Sequence, residues 1–574
     1  MSGGTFYILG SGASSAVPWL ACALAPRVVS DEPLGANIPD SCCAVCADAI
    51  DNPLGPNKRG NVSAALRLER PDGNGDFCVV IDCGKTFRDT VGRVWPRLDP
   101  PLRRIDALLL THPHADAFIG MDCLREVAPS DPVHVYCHAP TFERVRWAFP
   151  YLVPAGAGGE VDSKNISPPA LPTSSACCDP IPPTPAVAIP ATYVATLIFH
   201  IVTPWVPFEL VGSGGLLVTP IPVEHAGASG TPTYSDADTC LAFEFGAALH
   251  NSSNSSSSSN INNIISTSGG GDNDNNLVGF DTRGLPTLPP WKGDRILWVS
   301  DVRALSAQVR AYFSSRPTTL LLIDALGFRD YPTHFSISQA LAAAVDMMGP
   351  GSATAAATAA AAALVTASNG GGNGISSSSH PRVRLVGINH EVEHVVEQER
   401  LVQWAARARI VRPASGGEPL AWVSPTSQHG SPLDLDIRLG HDGLTQAVVF
   451  GARYTSIADL IAEITAVRNA ATVLAAEDAT DYINMARARS VTVATAREAE
   501  ASGSAEPPLP NYSQEVSSSS SSSSLRLGTT VLRHREDFVD CLPFEFKTYA
   551  ESPSAVVRKN WKFKASAYRV TPKK

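Results

Sequence analysis

Six short apolar runs, at residues 6–9, 78–81, 108–110, 216–223, 296–299 and 320–323, share one design: each leads into polar or glycine-rich residues. Runs of this length bounded by turn formers predict buried strands. Polar groups gathered at their C-terminal ends predict a site along one sheet edge. Val133–Cys137, Leu241–Phe245 and Arg384–His390 read as further strands, and His441-Asp442-Gly443 as a turn before a closing strand that ends at Phe450. Phe142–Phe149 and residues 455–500 have helical spacing, and Pro332–Gln339 opens a helix with a Ser or Thr cap and His334 on its N-terminal side. The class this predicts is α/β, built in layers.

Three stretches break the pattern. Residues 154–195 are rich in Pro, Ala, Gly and Ser; 249–290 begins as mostly Ser, Asn and Gly; 350–380 is Ala, Gly and Ser. Such composition buries little and marks insertions. The folded unit is therefore expected over 4–451. A helical extension at 452–512, a Ser-rich linker at 513–526 and a basic tail at 527–574 follow it. In that tail Trp561, Phe563 and Tyr568 alternate with Arg558, Lys559, Lys562, Lys564 and Arg569.

The formal net charge of −10 over 574 residues, with 17% charged residues, does not suggest a nucleic-acid binder. The first ten residues have no basic n-region and no long apolar core, and no stretch approaches a membrane-spanning run, so the expectation is a cytoplasmic protein without a membrane partner. Twelve scattered cysteines read as reduced thiols and a metal site, not as a disulfide framework.

The chemistry concentrates after the run at 108–110. Thr111-His-Pro-His-Ala-Asp116 places His112 and His114 on one face of an extended segment, with Asp116 close behind. Two imidazoles and a carboxylate on a strand end suit zinc or a similar divalent ion, and Asp116 can serve that ion or a second one. Other strand ends supply His225, Asp301 and His390. Four imidazoles and two carboxylates can hold one or two ions, which lower the pKa of bound water to about 7. Asp82, at the end of the run 78–81, is placed either to orient a ligating imidazole from behind or to serve a turn. Cys43 and Cys46 have Cys-x-x-Cys spacing, and Cys22 or Cys42 is the nearest further thiol for a structural zinc. Gly10-Ser-Gly-Ala-Ser14 offers a glycine turn of the kind that can cradle phosphate, without a complete phosphate-loop motif.

Thr111-His-Pro-His-Ala-Asp116 resembles the metal motif of the metallo-β-lactamase superfamily. Taken with Leu9–Pro18, Cys43/Cys46, Ile81-Asp-Cys-Gly84, Gly120–Arg125, His334-Phe-Ser336 and Gly387–His394, it resembles the PhnP-like phosphodiesterase branch and its eukaryotic His-Ala-Asp-Ala relatives. The resemblance covers residues 4–451 and implies a four-layer αββα sandwich with low-complexity insertions. It implies that His112, His114 and His225 bind a first ion, that Asp301 bridges, and that Asp116 and His390 bind a second, the ions being Zn2+ or Mn2+. It also implies that His334 contacts phosphate or protonates a leaving group, with Asp116 and Asp301 beside it in the catalytic set. The implied activity is hydrolysis of a small or cyclic phosphodiester. A binding protein without turnover and an RNA-processing nuclease are the alternatives. Ala117 stands where the usual motif, H-x-H-x-D-H, has a further histidine, and that departure favours the binding reading.

Overall fold

The computed structural model describes residues 2–25, 38–153, 196–225, 239–249, 279–280, 286–348 and 381–474, apart from short gaps within 38–153, 286–348 and 381–474. The expected insertions at 154–195 and 350–380, most of 249–290, and everything after 474, including the Ser-rich linker and basic tail, lie outside the described residues.

Two large mixed sheets form the centre. The first holds β1 (Ser2–Gly10), β2 (Ser63–Glu69), β3 (Asp76–Ile81), β4 (Ala107–Leu109), β5 (Val133–Cys137) and β6 (Leu197–Ile201) in that order, and β18 (Thr445–Phe450) lies outside β1. The second contains β7 (Phe208–Glu209), β8 (Leu216–Glu224), β9 (Thr239–Leu249), β12 (Ile296–Val299), β13 (Leu320–Asp324), β14 (Arg382–Val386) and β17 (Asp436–Leu439). Two small hairpins, β10–β11 (Gly279–Phe280 with Pro286–Thr287) and β15–β16 (Arg409–Val411 with Leu420–Val423), and the short β19 (Ala452–Tyr454) on β9 complete the strands. From β3 to β6, and from β12 through β13 and β14 to β17, neighbours run parallel. Parallel neighbours bring their C-terminal ends to the same edge, which is how remote parts of the chain reach one site.

The layering follows from period-two alternation. Phe6 and Ile8 of β1 face the second sheet and pack in one cluster with Phe77, Leu109, Phe243 and Trp298. Tyr7 and Leu9 face the other way, among Phe87, Trp95, Leu108 and Phe142 under the helices of the first sheet. A third cluster lies outside the second sheet, where the helices Ala307–Ser314 and Ile337–Met348 cover it. Three apolar layers between four structural ones make this the αββα sandwich of the metallo-β-lactamase type. Deep in that third layer Glu244 accepts hydrogen bonds from Arg295 Nε and the Tyr312 hydroxyl, each 2.6 Å long, which compensates a buried ion pair.

A helix over 457–474 belongs to the same third cluster. Its Leu460, Ile464, Val467 and Ala471 are buried there, and Arg468 lies over the Trp205 ring. The first part of the expected extension is thus packed against the sandwich. Among the described residues no helix is long and apolar enough to cross a membrane.

The glycine turn after β1 does not offer its amides to an anion. Ser11 N–H donates to Asp442 Oδ1, Gly12 N–H to the Gly60 carbonyl and Ala13 N–H to the Ile388 carbonyl. A Cβ at Gly10 would stand 1.9 Å from the Asn61 carbonyl oxygen, so glycine is needed there for backbone to pass backbone.

Packing of the helix over 457–474 can be tested directly. Leu460→Ala should lower the urea unfolding free energy by about 2–5 kcal/mol, the usual cost of emptying a buried leucine site; an unchanged midpoint would mean that the helix is not part of the core.

Candidate metal centre

His112, His114 and His225 meet at the sheet edge, with one ring nitrogen from each within 4.8 Å of the others. Their ring centroids are 4.8–5.1 Å apart, and the rings stand edge to face. His112 and His114 come from the extended segment after β4. His225 follows β8 in the opposite sheet.

The tautomers of His112 and His225 are set from behind. Asp82 Oδ1 accepts the Thr111 backbone N–H at 2.9 Å, and Oδ2 accepts the Thr111 hydroxyl at 2.7 Å. The Thr111 oxygen then accepts from His112 Nδ1–H at 2.8 Å, which leaves the lone pair of His112 Nε2 directed at the centre. His225 Nδ1–H donates to the Thr333 carbonyl at 3.0 Å, and its Nε2 faces His114 Nδ1 at 3.2 Å. Burial pushes His225 down to about 3 and lowers His114 as well, so both stay neutral and able to ligate.

Asp301 and Asp116 form a second group with His112. Asp116 Oδ1 lies 3.8 Å from His112 Nε2. Burial works against an ionised Asp301, yet the surrounding imidazoles hold it below the ordinary carboxylate range. Asp82 and Asp301 both adopt left-handed backbone, φ 58° and 50°, which aspartate tolerates better than most residues.

His334 stands beside this group, its ring 5.3 Å from that of His225. Its Nδ1 donates to Asp324 Oδ2 at 2.8 Å and lies 3.9 Å from Asp301 Oδ1. Burial opposes its charge, but Asp324, Asp301 and Asp116 outweigh that and hold the imidazolium at about 9. Asp324 was not among the sequence candidates. The signal was present, since Leu320-Leu-Leu-Ile-Asp324 repeats the apolar run ending in a carboxylate that flagged Asp301. Thr111 was also missed, as nothing in its spacing shows a hydroxyl bridging a carboxylate to an imidazole.

His390 departs from the expected place. It lies with Cys22, Cys43 and Cys46, one ligand atom from each within 4.8 Å, and its Nδ1 is 3.6 Å from Cys43 Sγ. The cause is the loop after β14: the buried Arg59 guanidinium grips the carbonyls of Asn389 and Val392, each at 2.9 Å, and Trp19 stacks on the imidazole. Among the described residues, Asp116 and Asp301 are thus joined by neither His390 nor a donor at position 117, where Ala117 is buried. Cys42 stays outside the thiol group, its Sγ donating to the Cys43 carbonyl at 3.5 Å.

Both groups fit a cation. Among the described residues His112 Nε2 and Asp301 Oδ2 are buried without a hydrogen-bond partner, and a cation held by the His112–Asp116–Asp301 group would satisfy both. In the thiol group, hydrogen bonds from Cys43 and Cys46 favour a thiolate on Cys22, while hydrogen bonding to Cys22, together with burial, keeps Cys46 protonated. Three sulfurs and one imidazole nitrogen are a tetrahedral zinc donor set.

Residues 78–251 match the family model described as beta-lactamase superfamily domain. The matched segment runs from β3 through β9 and contains Asp82, His112, His114, Asp116 and His225. No curated protein matches the chain by sequence. Among solved structures, a diphosphatase from the PhnP family is 17% identical, with 78% of this chain and 100% of that chain covered and a TM-score of 0.39. Zn2+-bound PqqB from Methylobacterium extorquens is 16% identical, with 77% and 99% covered and a TM-score of 0.36. The short form of human tRNase Z is 11% identical, with 77% and 98% covered and a TM-score of 0.28.

Thr111→Val keeps the shape of residue 111 and removes the hydroxyl between Asp82 and His112. Zinc affinity of the three-histidine group should fall about 10–100-fold in a competition titration, the usual effect of losing a partner that orients a ligand. Wild-type affinity in this variant would show that the relay does not orient His112.

Proposed function

We propose that this chain is a metal-dependent hydrolase of phosphodiesters, with a small or cyclic phosphate ester as substrate. The reading rests on one observation: the His334–Asp324 pair, holding an imidazolium beside three imidazoles that converge on one point. A lone metal group would suit many roles. A metal group beside a fixed cationic proton donor suits attack on an anionic ester whose leaving oxygen needs a proton.

His112, His114 and His225 would hold the ion, with Asp301 and Asp116 on its open side. Zn2+ fits the nitrogen-rich set, and the carboxylates also admit Mn2+. A divalent ion bound there supplies Lewis acidity and a nucleophile from water at neutral pH. The protein contributes the rest. His334 is placed to contact a phosphoryl oxygen and to donate its proton to the leaving oxygen, and Asp324 fixes the orientation of the ring and keeps it charged. The Thr333 carbonyl and the Asp82–Thr111 relay hold His225 and His112 at fixed angles. A structural zinc on Cys22, Cys43, Cys46 and His390 would fasten the segment between β1 and β2 to the loop after β14.

A second reading, binding without turnover, draws on the depleted second position, where Asp116 and Asp301 lack the donors that Ala117 and the displaced His390 would have given. Purified protein separates the two. The hydrolase should cleave bis-p-nitrophenyl phosphate, lose that activity on chelation and regain it on adding zinc or manganese. His114→Ala should abolish turnover while the far-UV circular dichroism is kept; unchanged turnover would refute this site. His334→Gln should lower kcat by about 10²–10⁴, the usual contribution of a positioned proton donor, with the larger loss on esters with poor leaving groups. Cys43→Ser should remove one equivalent of zinc per chain while the three-histidine group stays loaded.

A further inference from the structure

The loop from Asp324 to the helix Ile337–Met348 lies between the two donor groups and touches both. Its ends are pinned together: Leu326 N–H donates to the Phe335 carbonyl and Ile337 N–H to the Gly327 carbonyl, each at 2.8 Å. On one side it carries His334 and the Thr333 carbonyl that orients His225. On the other it meets the residues that flank His390. Asn389 N–H donates to the Leu326 carbonyl at 2.9 Å, and Asn389 Nδ2 donates to the Tyr331 hydroxyl at 3.0 Å. That hydroxyl in turn donates to Glu391 Oε2 at 3.1 Å. Glu391 Oε1 pairs with Arg329 at 3.1 Å, and the Arg329 guanidinium lies 5.2 Å from the centroid of the Tyr331 ring.

The hydroxyl is built in. A Cβ at Gly327 would come within 2.3 Å of it, so the position opposite must be glycine for Tyr331 to reach its partners. One phenol therefore accepts from the residue before His390 and donates to the residue after it. Arg59 holds the same turn from the other side through the Asn389 and Val392 carbonyls.

We propose that Tyr331 is a positioning residue that couples the Cys22–Cys43–Cys46–His390 group to His334, so that loading or loss of that group sets the placement of the proton donor. His390 lies between Asn389 and Glu391 in the chain, so any backbone shift that carries it from its sulfur partners moves both, and those two are what Tyr331 grips. A loop without regular structure keeps its geometry through such bonds alone. The kinetic half of the inference rests on the reading of His334 as proton donor; the mechanical half does not.

Hydrogen–deuterium exchange tests the mechanical half without reference to activity. In full-length protein, Cys43→Ser and Tyr331→Phe should each speed exchange at Leu326, Ile337 and Asn389. The double variant should exchange no faster than Tyr331→Phe alone, since the two changes break one connection. Asn389→Ala removes the amide that donates to Tyr331, together with the Oδ1 that accepts Glu391 N–H at 2.7 Å, and should also speed exchange at Leu326 and Ile337. Exchange unchanged in the single variants, or effects that add, would overturn the coupling. For the kinetic half, Tyr331→Phe should lower kcat roughly three- to tenfold on an alkyl phosphodiester, the size of one net hydrogen bond, with a smaller loss on the p-nitrophenyl ester and KM unchanged. Equal losses on both esters would overturn the positioning of His334. If His334→Gln itself shows no dependence on the leaving group, the proposed function falls, and the exchange measurements still decide the coupling.

Discussion

Four carboxyl groups, Asp82, Asp116, Asp301 and Asp324, lie buried at one sheet edge around three imidazoles, and this crowding is the constraint that shapes the site: burial raises Asp82 and Asp324, while the surrounding imidazoles hold Asp301 down against its own burial. Burial keeps His114 and His225 neutral, while neighbouring carboxylates hold His334 cationic. Unpaired buried charge is costly, and three of the four are given a partner: Thr111 donors to Asp82, His334 to Asp324, facing imidazoles to Asp301. These compensations do not close the balance. Asp301 Oδ2 keeps no hydrogen-bond partner among the described residues, and neither does His112 Nε2. A cation would relieve this imbalance, so these groups are ones that could hold a metal ion.

The architecture makes the crowding possible. Parallel strands in both sheets end at one edge, so residues from 82 to 334 in the sequence converge without any long-range motif. That convergence was readable because the sequence announces strand ends: an apolar run, then a histidine or aspartate. His112, His114, His225 and Asp301 all carry that sign. Asp324 carries it too and was passed over, since one more strand-end aspartate has no visible purpose until His334 is seen against it. The four-layer arrangement was implied only by the resemblance that Thr111–Asp116 and its companions carry: Phe6–Leu9 is apolar throughout, and it takes the structure to divide its alternate residues between two clusters.

Where the sequence misled, the cause is a partner far away in the chain. The glycine turn at 10–14 has the composition of an anion cradle, but Asp442, 431 residues on, takes the Ser11 amide and hydroxyl. The same carboxylate accepts from Gly60 N–H and Arg93, so it closes the domain across its whole length. His390 follows its strand at the position expected of a ligand to the second ion. Its direction is set by Arg59 gripping two carbonyls and by a tryptophan stacked on its ring, and neither contact leaves a trace in local spacing.

The loss of donors at position 117 and at His390 need not leave Asp116 and Asp301 uncompensated. His334 lies 3.9 Å from Asp301, and Asp116 is among the groups that raise it. Its imidazolium brings to those carboxylates part of the positive charge that a second ion would bring. The protein's own cation and a second metal ion are thus alternatives for one electrostatic role. An imidazolium differs from an ion in that it can give up a proton, and Asp324 on its far side fixes the direction in which it does so. On the proposed reading two features fit together: among the described residues Asp116 and Asp301 have no further ligand beside them, and the charged His334 stands next to Asp301, while His390 lies with the thiols.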